Sequence, residues 1–168
     1  MTGGIGGRAW KFGDNVDTDV LSPGIYMKLP PEELAKHCLE AVDPAFAASV
    51  RLGDVVVGGE NFGMGSSREQ APQALKILGV GAVLAKSFAR IFYRNAFNLG
   101  LPALFFPQAD EISAGDRIEV DLAAGQVRNL TTRKAYAVEP IPQHLLDMIL
   151  AGGLMPHLKS ILARERGA

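Results

Sequence analysis

The sequence predicts an α/β fold, with a three-layer core and a smaller β portion at each end. Short apolar runs, which are typical of buried strands, alternate with segments of helical period through the middle of the chain. Polar turns separate the apolar runs of residues 116–140, which indicate a β-meander. The chain of 168 residues has the length of one domain and shows no repeat or linker, so we expect one domain over residues 1–168.

The predicted elements follow in chain order. Strands are expected at RAWKF (8–12), DVVVGG (54–59), GAVLAK (81–86) and LPALFF (101–106), and then in the meander. Helices are expected at PPEELAKHCLEAV (30–42), QAPQALKILG (70–79), SFARIFYRNAFNLG (87–100) and PQHLLDMILAGG (142–153). Proline and acidic residues mark the entry of the first helix, and Ser87 is the expected N-cap of the third. Residues 160–168 are expected to fray.

Composition and charge argue against several classes of function. The 17 basic and 18 acidic residues leave a net charge of −1, whereas a general nucleic-acid surface needs a basic excess. No apolar run approaches the roughly 18–20 residues that cross a membrane, and the amino terminus lacks the pattern of a signal peptide. The single cysteine, Cys38, cannot form an internal disulfide, which agrees with a reducing compartment. We therefore expect a cytoplasmic protein that binds neither nucleic acid nor membranes.

The stretch GGENFGMGSSREQAPQAL carries the strongest functional signal. Its glycines suit a backbone that approaches a ligand closely, but it lacks the lysine of a P-loop and the third glycine of a dinucleotide-binding loop. Helix capping is the alternative, because Ser66 and Ser67 are each followed three residues later by Glu or Gln. Pro72 favours a helix that begins near Glu69, since a proline in the second turn would lose a hydrogen bond. Both serines and Arg68 would then precede the positive end of a helix, which favours an anion-facing site.

Three motifs at specific spacings identify a resemblance. DNVDTDVLSPG, GENFGMGSSREQA and AKSFARIFYRNAFNLGLP follow one another in this order, and the similarity covers about residues 7–155. Together they resemble the swivelling domain of the aconitase superfamily, most of all the separate small subunits of 3-isopropylmalate dehydratases and homoaconitases. The resemblance implies a three-layer β/β/α swivelling domain.

The resemblance also implies roles for the motif residues. In this family the first serine of the pair, here Ser66, acts as the base, while Ser67 and Arg68 bind substrate. Thr18 and Asp19, in the DTD turn, match a position at the edge of the active site and are expected among the substrate-binding residues. The reaction removes water from a 2-hydroxy di- or tricarboxylate and returns it at the neighbouring carbon, so it needs a base beside a carboxylate and a Lewis acid for hydroxide. Positive potential from Arg68 and a helix N-terminus would stabilise a serine alkoxide.

The Lewis acid is expected on another chain. Cys38 is alone, and His37, His144 and His157 show no metal-ligand spacing with one another or with carboxylates. In this family three cysteines of a large subunit hold a 4Fe–4S cluster, so the resemblance implies half an active site in a heterodimer or heterotetramer. The chain alone is expected to bind no metal and to be inactive.

The substrate is the open point. In this family the segment that here reads GIYMKLPPEELAKH discriminates the substrate's side group, which assigns Tyr26, Met27 and Lys28 to a specificity loop. Small subunits acting on isopropylmalate often carry YLRT there and homoaconitases YLVY, and the YMKL of this chain matches neither. Isopropylmalate, and with it leucine biosynthesis, is the first choice, and homoaconitate, methylmalate and dimethylmalate remain open.

Two further interpretations stay open. Lys86, Arg90 and Arg94 could support the active site, contact the partner or only face solvent, and the two arginines stand at i, i+4 on a helix expected to bury Ile91 and Phe92. A stand-alone anion- or nucleotide-binding module is the non-enzymatic alternative, because a fold does not fix a function. The intact GSSR motif favours the enzyme.

Overall fold

The structure is a computed structural model that describes residues 4–167, and its backbone forms one seven-stranded mixed sheet. The strands are β1 (Gly4–Lys11), β2 (Val55–Gly58), β3 (Ala82–Ala85), β4 (Ala103–Phe105), β5 (Arg117–Asp121), β6 (Gln126–Asn129) and β7 (Lys134–Ala137). Their order across the sheet is β4-β3-β2-β1-β5-β6-β7. Strand β1 pairs in parallel with β2 and antiparallel with β5, so a parallel and an antiparallel half share it.

The parallel half confirms the α/β class predicted from the apolar runs. Every residue of β2 and β3 is buried, as expected for parallel strands that are covered on both faces. The β portion expected at the amino terminus is β1, which belongs to the same sheet as the core and joins its two halves. Strand β1 also begins at Gly4, earlier than the predicted residues 8–12.

The antiparallel half is the predicted β-meander. Strands β5, β6 and β7 each pair with the next strand along the chain. Along β5, the exposed Arg117 and Glu119 alternate with the buried Ile118 and Val120. One face of this half therefore packs on the core while the other faces solvent.

Seven α-helices lie within residues 4–167: α1 (Thr18–Leu21), α2 (Pro31–Ala35), α3 (Phe46–Ser49), α4 (Gln70–Ile77), α5 (Arg90–Asn98), α6 (Gln143–Ala151) and α7 (Leu154–Arg166). The helix predicted over residues 30–42 is wrong in length, because α2 ends at Ala35. The chain then turns, and Leu39 has a φ of 61°, outside the right-handed helical region. Helices α1, α3 and α7 are additions to the predicted set.

Helix α5 differs from its prediction at its start. It begins at Arg90 with Ala89 at its N-cap position. Ser87 is not the N-cap, because its hydroxyl oxygen instead accepts from the Asn61 amide at 2.8 Å and donates to Glu60 Oε2 at 3.0 Å. Phe92 is buried as expected, but Ile91 is 41% exposed, so that expectation is wrong.

The carboxyl-terminal segment consists of α6 and α7. Helix α7 continues to Arg166, and residues 162–167 are exposed, so fraying of residues 160–168 in solution stays a prediction. No single helix within residues 4–167 is long and apolar enough to span a membrane. Helices α6 and α7 meet that test of length and hydropathy only as a pair, which is bent by 96°.

Candidate active site

The glycine-rich loop lies at the carboxyl end of the parallel strands, the edge at which α/β sheets hold ligands. It leaves β2 after Gly58 and ends at Glu69, the N-cap position of α4. Pro72 is the third residue of α4 and lies in its first turn, as predicted from its missing amide. The capping alternative is wrong, because α4 has no side-chain cap hydrogen bond and both Ser66 and Ser67 precede its N-cap.

Two glycines let this loop pass close to neighbouring elements. Gly63 and Gly65 have φ values of 82° and 113°, which L-residues rarely adopt. A Cβ atom on Gly63 would lie 2.2 Å from Phe92 Cγ, and one on Gly65 would lie 2.9 Å from Thr18 Oγ1. The loop therefore packs against α5 on one side and against the DTD turn on the other.

The DTD turn contains α1 and holds the loop by hydrogen bonds. The Asp17 carboxylate caps α1 by accepting from the Val20 amide at 2.8 Å, and the Thr18 amide donates to the Met64 carbonyl oxygen at 2.8 Å. The Ser66 amide donates to Thr18 Oγ1 at 3.1 Å, and the hydroxyl oxygens of Thr18 and Ser66 lie 3.2 Å apart. Thr18 is 3% exposed whereas Ser66 is exposed, so a buried hydroxyl group holds an exposed one.

A second set of contacts fixes Arg68. Its Nη1 donates to Asp19 Oδ1 at 2.9 Å and to the Ser22 carbonyl oxygen at 3.0 Å. The hydrogen bond from Arg68, and then the one from the Gly24 amide, hold the pKa of the Asp19 carboxyl below its ordinary value, so this group is ionised at neutral pH. No hydrogen bond from Nε or Nη2 of Arg68 is formed within the described residues, so both remain for a further acceptor.

The structure thus brings together four of the residues singled out in the sequence. Thr18 contacts Ser66 and Asp19 contacts Arg68, while Ser67 lies exposed between Ser66 and Arg68. The arrangement places a hydroxyl group and a guanidinium on one loop, each held by a residue of the DTD turn. Their chemical roles stay predictions.

The expected specificity loop begins beside the guanidinium of Arg68. A 3₁₀ turn starts at Gly24, and a Cβ atom on Gly24 would lie 3.4 Å from Arg68 Nη2. Ile25 is 84% exposed, Lys28 is exposed and Met27 is half-buried. Ile25, the second residue of the segment expected to select the side group, therefore presents an open apolar surface next to the candidate anion site.

Tyr26 is held by a contact that the sequence does not reveal. Its ring stacks on the imidazole of His37, with ring centroids 3.6 Å apart and planes inclined by 12°. His37 Nδ1 lies 2.7 Å from Glu40 Oε1, a hydrogen bond that orients the imidazole. His37 therefore positions the expected specificity loop through Tyr26, and the intervening α2 hides this pairing from sequence reasoning.

Three other candidate side chains do not join this cluster. Lys86 Nζ donates to Asp110 Oδ2 at 2.6 Å, and this hydrogen bond raises the pKa of Lys86. Arg90 and Arg94 are exposed on α5. Within residues 4–167 none of the three forms a hydrogen bond with Ser66, so their role in support or at an interface stays a prediction.

Within residues 4–167 the side chains do not fit an iron–sulfur cluster. No group of three or more His, Cys, Asp and Glu side chains in the described part of the chain is placed to hold a metal ion. Cys38 is fully buried, and burial raises the pKa of its thiol, which disfavours the thiolate that ligates metal.

Comparison with known proteins identifies the family. The family described as Aconitase C-terminal domain matches residues 35–109. The 3-isopropylmalate dehydratase small subunit of Nautilia profundicola is 53% identical over 163 residues, which cover 96% of this chain and 98% of the relative. The methanogen homoaconitase small subunit of Methanothermobacter thermautotrophicus is 52% identical over 164 residues, which cover 96% of this chain and 95% of the relative.

A solved structure agrees with the fold. The crystal structure of 3-isopropylmalate dehydratase from Methanocaldococcus jannaschii matches with a TM-score of 0.91 and 46% sequence identity, covering 98% of this chain and 99% of that one. The swivelling-domain fold implied by the motifs is therefore confirmed. The chain belongs to the aconitase superfamily, in the family of 3-isopropylmalate dehydratase and homoaconitase small subunits.

Proposed function

We propose that this chain is the small subunit of a 3-isopropylmalate dehydratase, which interconverts 2- and 3-isopropylmalate by dehydration and rehydration in leucine biosynthesis. One observation carries the proposal: the Ser66 hydroxyl lies against the buried Thr18, beside an Arg68 that is fixed by Asp19. The names of the relatives, at about half identity over nearly the whole chain, support it.

Ser66 is the proposed base that takes the proton from the carbon next to a substrate carboxylate. Thr18 Oγ1 accepts the Ser66 amide, so the Thr18 hydroxyl proton can be donated to Ser66 Oγ, 3.2 Å away. A hydrogen bond donated to the deprotonated hydroxyl favours that form. The amino terminus of α4 and the Arg68 guanidinium add positive potential at the same end of the loop.

Arg68 and Ser67 are proposed to bind the carboxylate that activates this proton. A guanidinium can bind a carboxylate through two parallel hydrogen bonds. Asp19 and the Ser22 carbonyl oxygen occupy Nη1, which sets the plane of the guanidinium and leaves Nε and Nη2 for substrate. Thr18 and Asp19 are in this view positioning residues, one for the base and one for the carboxylate-binding group.

The side group of the substrate is proposed to contact the segment that carries Ile25, Tyr26, Met27 and Lys28. The exposed Ile25 offers an apolar surface that suits an isopropyl group. Homoaconitase is the second candidate, and the observation that favours it is the exposed Lys28 on the same segment, which can pair with a third carboxylate. Methylmalate and dimethylmalate would cover less of the apolar surface.

The other half of the active site is proposed to lie on a large subunit, in a cytoplasmic heterodimer or heterotetramer. That subunit would hold the 4Fe–4S cluster, which supplies the Lewis acid for hydroxide departure. The exposure of Ser66 and Ser67 supports an active-site edge that a partner completes. Lys86, Arg90 and Arg94 are the candidate contacts to that partner.

The test is Ser66→Ala in an enzyme reconstituted with a cluster-bearing large subunit. The kcat for isopropylmalate should fall by about 10²–10⁴-fold, the scale for losing a positioned acid–base group. Ser160→Ala, an exposed serine of α7, is the control and should leave kcat unchanged. Both variants should melt close to the wild-type temperature. An intact kcat in Ser66→Ala would contradict Ser66 as the base, and turnover by the isolated chain would contradict the need for a large subunit. Absence of turnover in the reconstituted wild-type protein would favour the anion-binding module.

A further inference from the structure

The amino end of the parallel strands carries a second group of charged side chains, here called the arginine cavity. This cavity of about 590 Å³ is lined by residues that include Arg8, Arg51, Arg117 and Asp54. Asp54 immediately precedes β2, whereas Ser66 lies on the loop that follows β2. The arginine cavity is therefore at the opposite edge of the sheet from the candidate active site.

Two of the three arginines oppose each other directly. In the antiparallel pairing of β1 with β5, Arg8 is the register partner of Arg117. Residues directly opposed in this way project from the same face with Cβ atoms about 4.5–5.5 Å apart, and like charges at such positions destabilise the pair. Arg51 lies in the turn that leads into β2 and lines the same cavity. An anion between the guanidinium groups would remove this repulsion.

The acidic residue of the described lining forms no ion pair with these arginines. Asp54 Oδ1 accepts from the Arg8 amide, and Oδ2 accepts from the Arg51 amide and from Trp10 Nε1, each at 2.9 Å. Burial opposes ionisation of Asp54, but these hydrogen bonds, together with the positive charge of Arg8, outweigh it and hold the pKa of the carboxyl below its ordinary value. The carboxylate is thus occupied by amides and an indole, and the cavity holds three positive charges against one negative.

The guanidinium groups are available to a ligand. Among residues 4–167, no ion pair includes Arg8, Arg51 or Arg117. The Arg8 guanidinium lies over the Trp10 ring, 4.8 Å from its centroid, and this contact orients it before any ligand arrives.

We propose that the arginine cavity binds a small ligand through a phosphate group, either free phosphate or a phosphomonoester. Guanidinium groups from β1, from β5 and from the turn before β2 can share the oxygens of one phosphate, for which their planar forks are suited. The volume of about 590 Å³ lies within the range of about 300–1,000 Å³ that is usual for small-molecule sites, so an organic portion also fits. The site is separate from the proposed dehydratase chemistry and does not depend on it.

Calorimetric titration of the isolated full-length chain tests this proposal, with inorganic phosphate in one arm and ribose 5-phosphate in the other. Saturable binding of either supports it, and the arm with the higher affinity identifies the source. Arg117→Gln and Arg51→Gln should each weaken binding by roughly tenfold, the loss expected for one charge-assisted hydrogen bond. Arg164→Gln, exposed near the end of α7, should change nothing.

A second control separates this site from the glycine-rich loop, which also faces anions. If Arg68→Gln abolishes phosphate binding while Arg117→Gln retains it, the arginine cavity is not the site and the proposal is overturned. Absence of binding in both arms overturns it as well. Amide chemical shifts provide a readout without variants: phosphate should shift Gly7, which lines the cavity, and leave Gly65 unchanged.

Discussion

The arginines at the two ends of the parallel strands have opposite kinds of neighbours. At the carboxyl end, Arg68 donates to the Asp19 carboxylate at 2.9 Å, and one nitrogen of its guanidinium is thereby fixed. At the amino end, Arg8 and Arg117 oppose each other, and the nearby Asp54 carboxylate is occupied by amides and an indole. At the carboxyl end, the Arg68 guanidinium is therefore oriented for a contact with one further acceptor. At the amino end, positive side chains lie close together without an acceptor that fixes them.

The hydroxyl groups at the two ends show the same contrast. Thr18 Oγ1 accepts the Ser66 amide at 3.1 Å, and Thr131 Oγ1 accepts the Arg117 amide at 2.9 Å. The local bond is the same, but Thr18 is buried and adjoins a second hydroxyl group, while Thr131 is exposed. A hydrogen bond from a backbone amide to a threonine hydroxyl orders a loop at either end. Only at the carboxyl end does it also orient a candidate base.

Among the variants that test this comparison, Arg68→Lys should have the largest effect, and a silent Arg68→Lys would contradict the comparison. Lysine keeps the positive charge and can still pair with Asp19, but one ammonium group cannot offer two parallel hydrogen bonds to a carboxylate. In the reconstituted enzyme, kcat/KM for isopropylmalate should fall by about 10²–10³-fold, the scale for removing an oriented donor. KM should rise more than in Ser66→Ala. Arg133→Lys, in the exposed turn after β6, is the control, and wild-type kinetics for Arg68→Lys would refute a directed contact.

Thr18→Val should have a smaller effect, because it removes a positioning group and leaves the base in place. Valine keeps the volume of threonine, but the Ser66 amide and hydroxyl lose their partner. We expect kcat to fall by about tenfold, the value of one hydrogen bond to a charged group, with KM nearly unchanged. Thr131→Val removes the equivalent bond near the amino end and should leave both constants unchanged. Equal kinetics for the two variants would show that Thr18 only supports the loop.

Part of this arrangement follows from local patterns in the sequence. The start of α4 depends on Pro72, whose ring excludes an earlier start. The buried strands and the meander follow from apolar runs and their alternation. The positions of Ser66 and Arg68 come from the motif resemblance, since glycine and serine before a helix left capping and anion binding both open.

Contacts between distant segments could not be predicted in this way. Nothing in the residues of β1 indicates that it pairs with both β2 and β5. Because register is not local, neither the opposition of Arg8 to Arg117 nor the stacking of Tyr26 on His37 is visible in the sequence. Ser87 is not the N-cap for the same reason, since its hydroxyl oxygen accepts from the Asn61 amide of the glycine-rich loop.

Ile25→Ala should lower kcat less than Thr18→Val does, because it changes a contact to the side group of the substrate, and it tests the comparison of apolar surfaces. Ile25 is 84% exposed next to the candidate anion site, and Leu130 is 50% exposed beside Arg117 at the other end. One methylene group in an apolar site is worth about 1–3 kcal/mol, so kcat/KM for isopropylmalate should fall by about tenfold in Ile25→Ala. The value for the smaller methylmalate should fall less, and Leu130→Ala should change neither.

The same panel of malate analogues decides between the two substrate classes. If an alkyl group is recognised, Lys28→Ala should be nearly silent, and Met27→Ala should have a smaller effect than Ile25→Ala because Met27 is half-buried. If Lys28→Ala instead abolishes activity on the best substrate while Ile25→Ala does little, a third carboxylate is being recognised and homoaconitate is the substrate. The comparison of kcat/KM across substrates cancels any general loss of active enzyme, since misfolding lowers all values equally. A flat profile in all three variants would exclude this segment from substrate selection and leave the large subunit as its source.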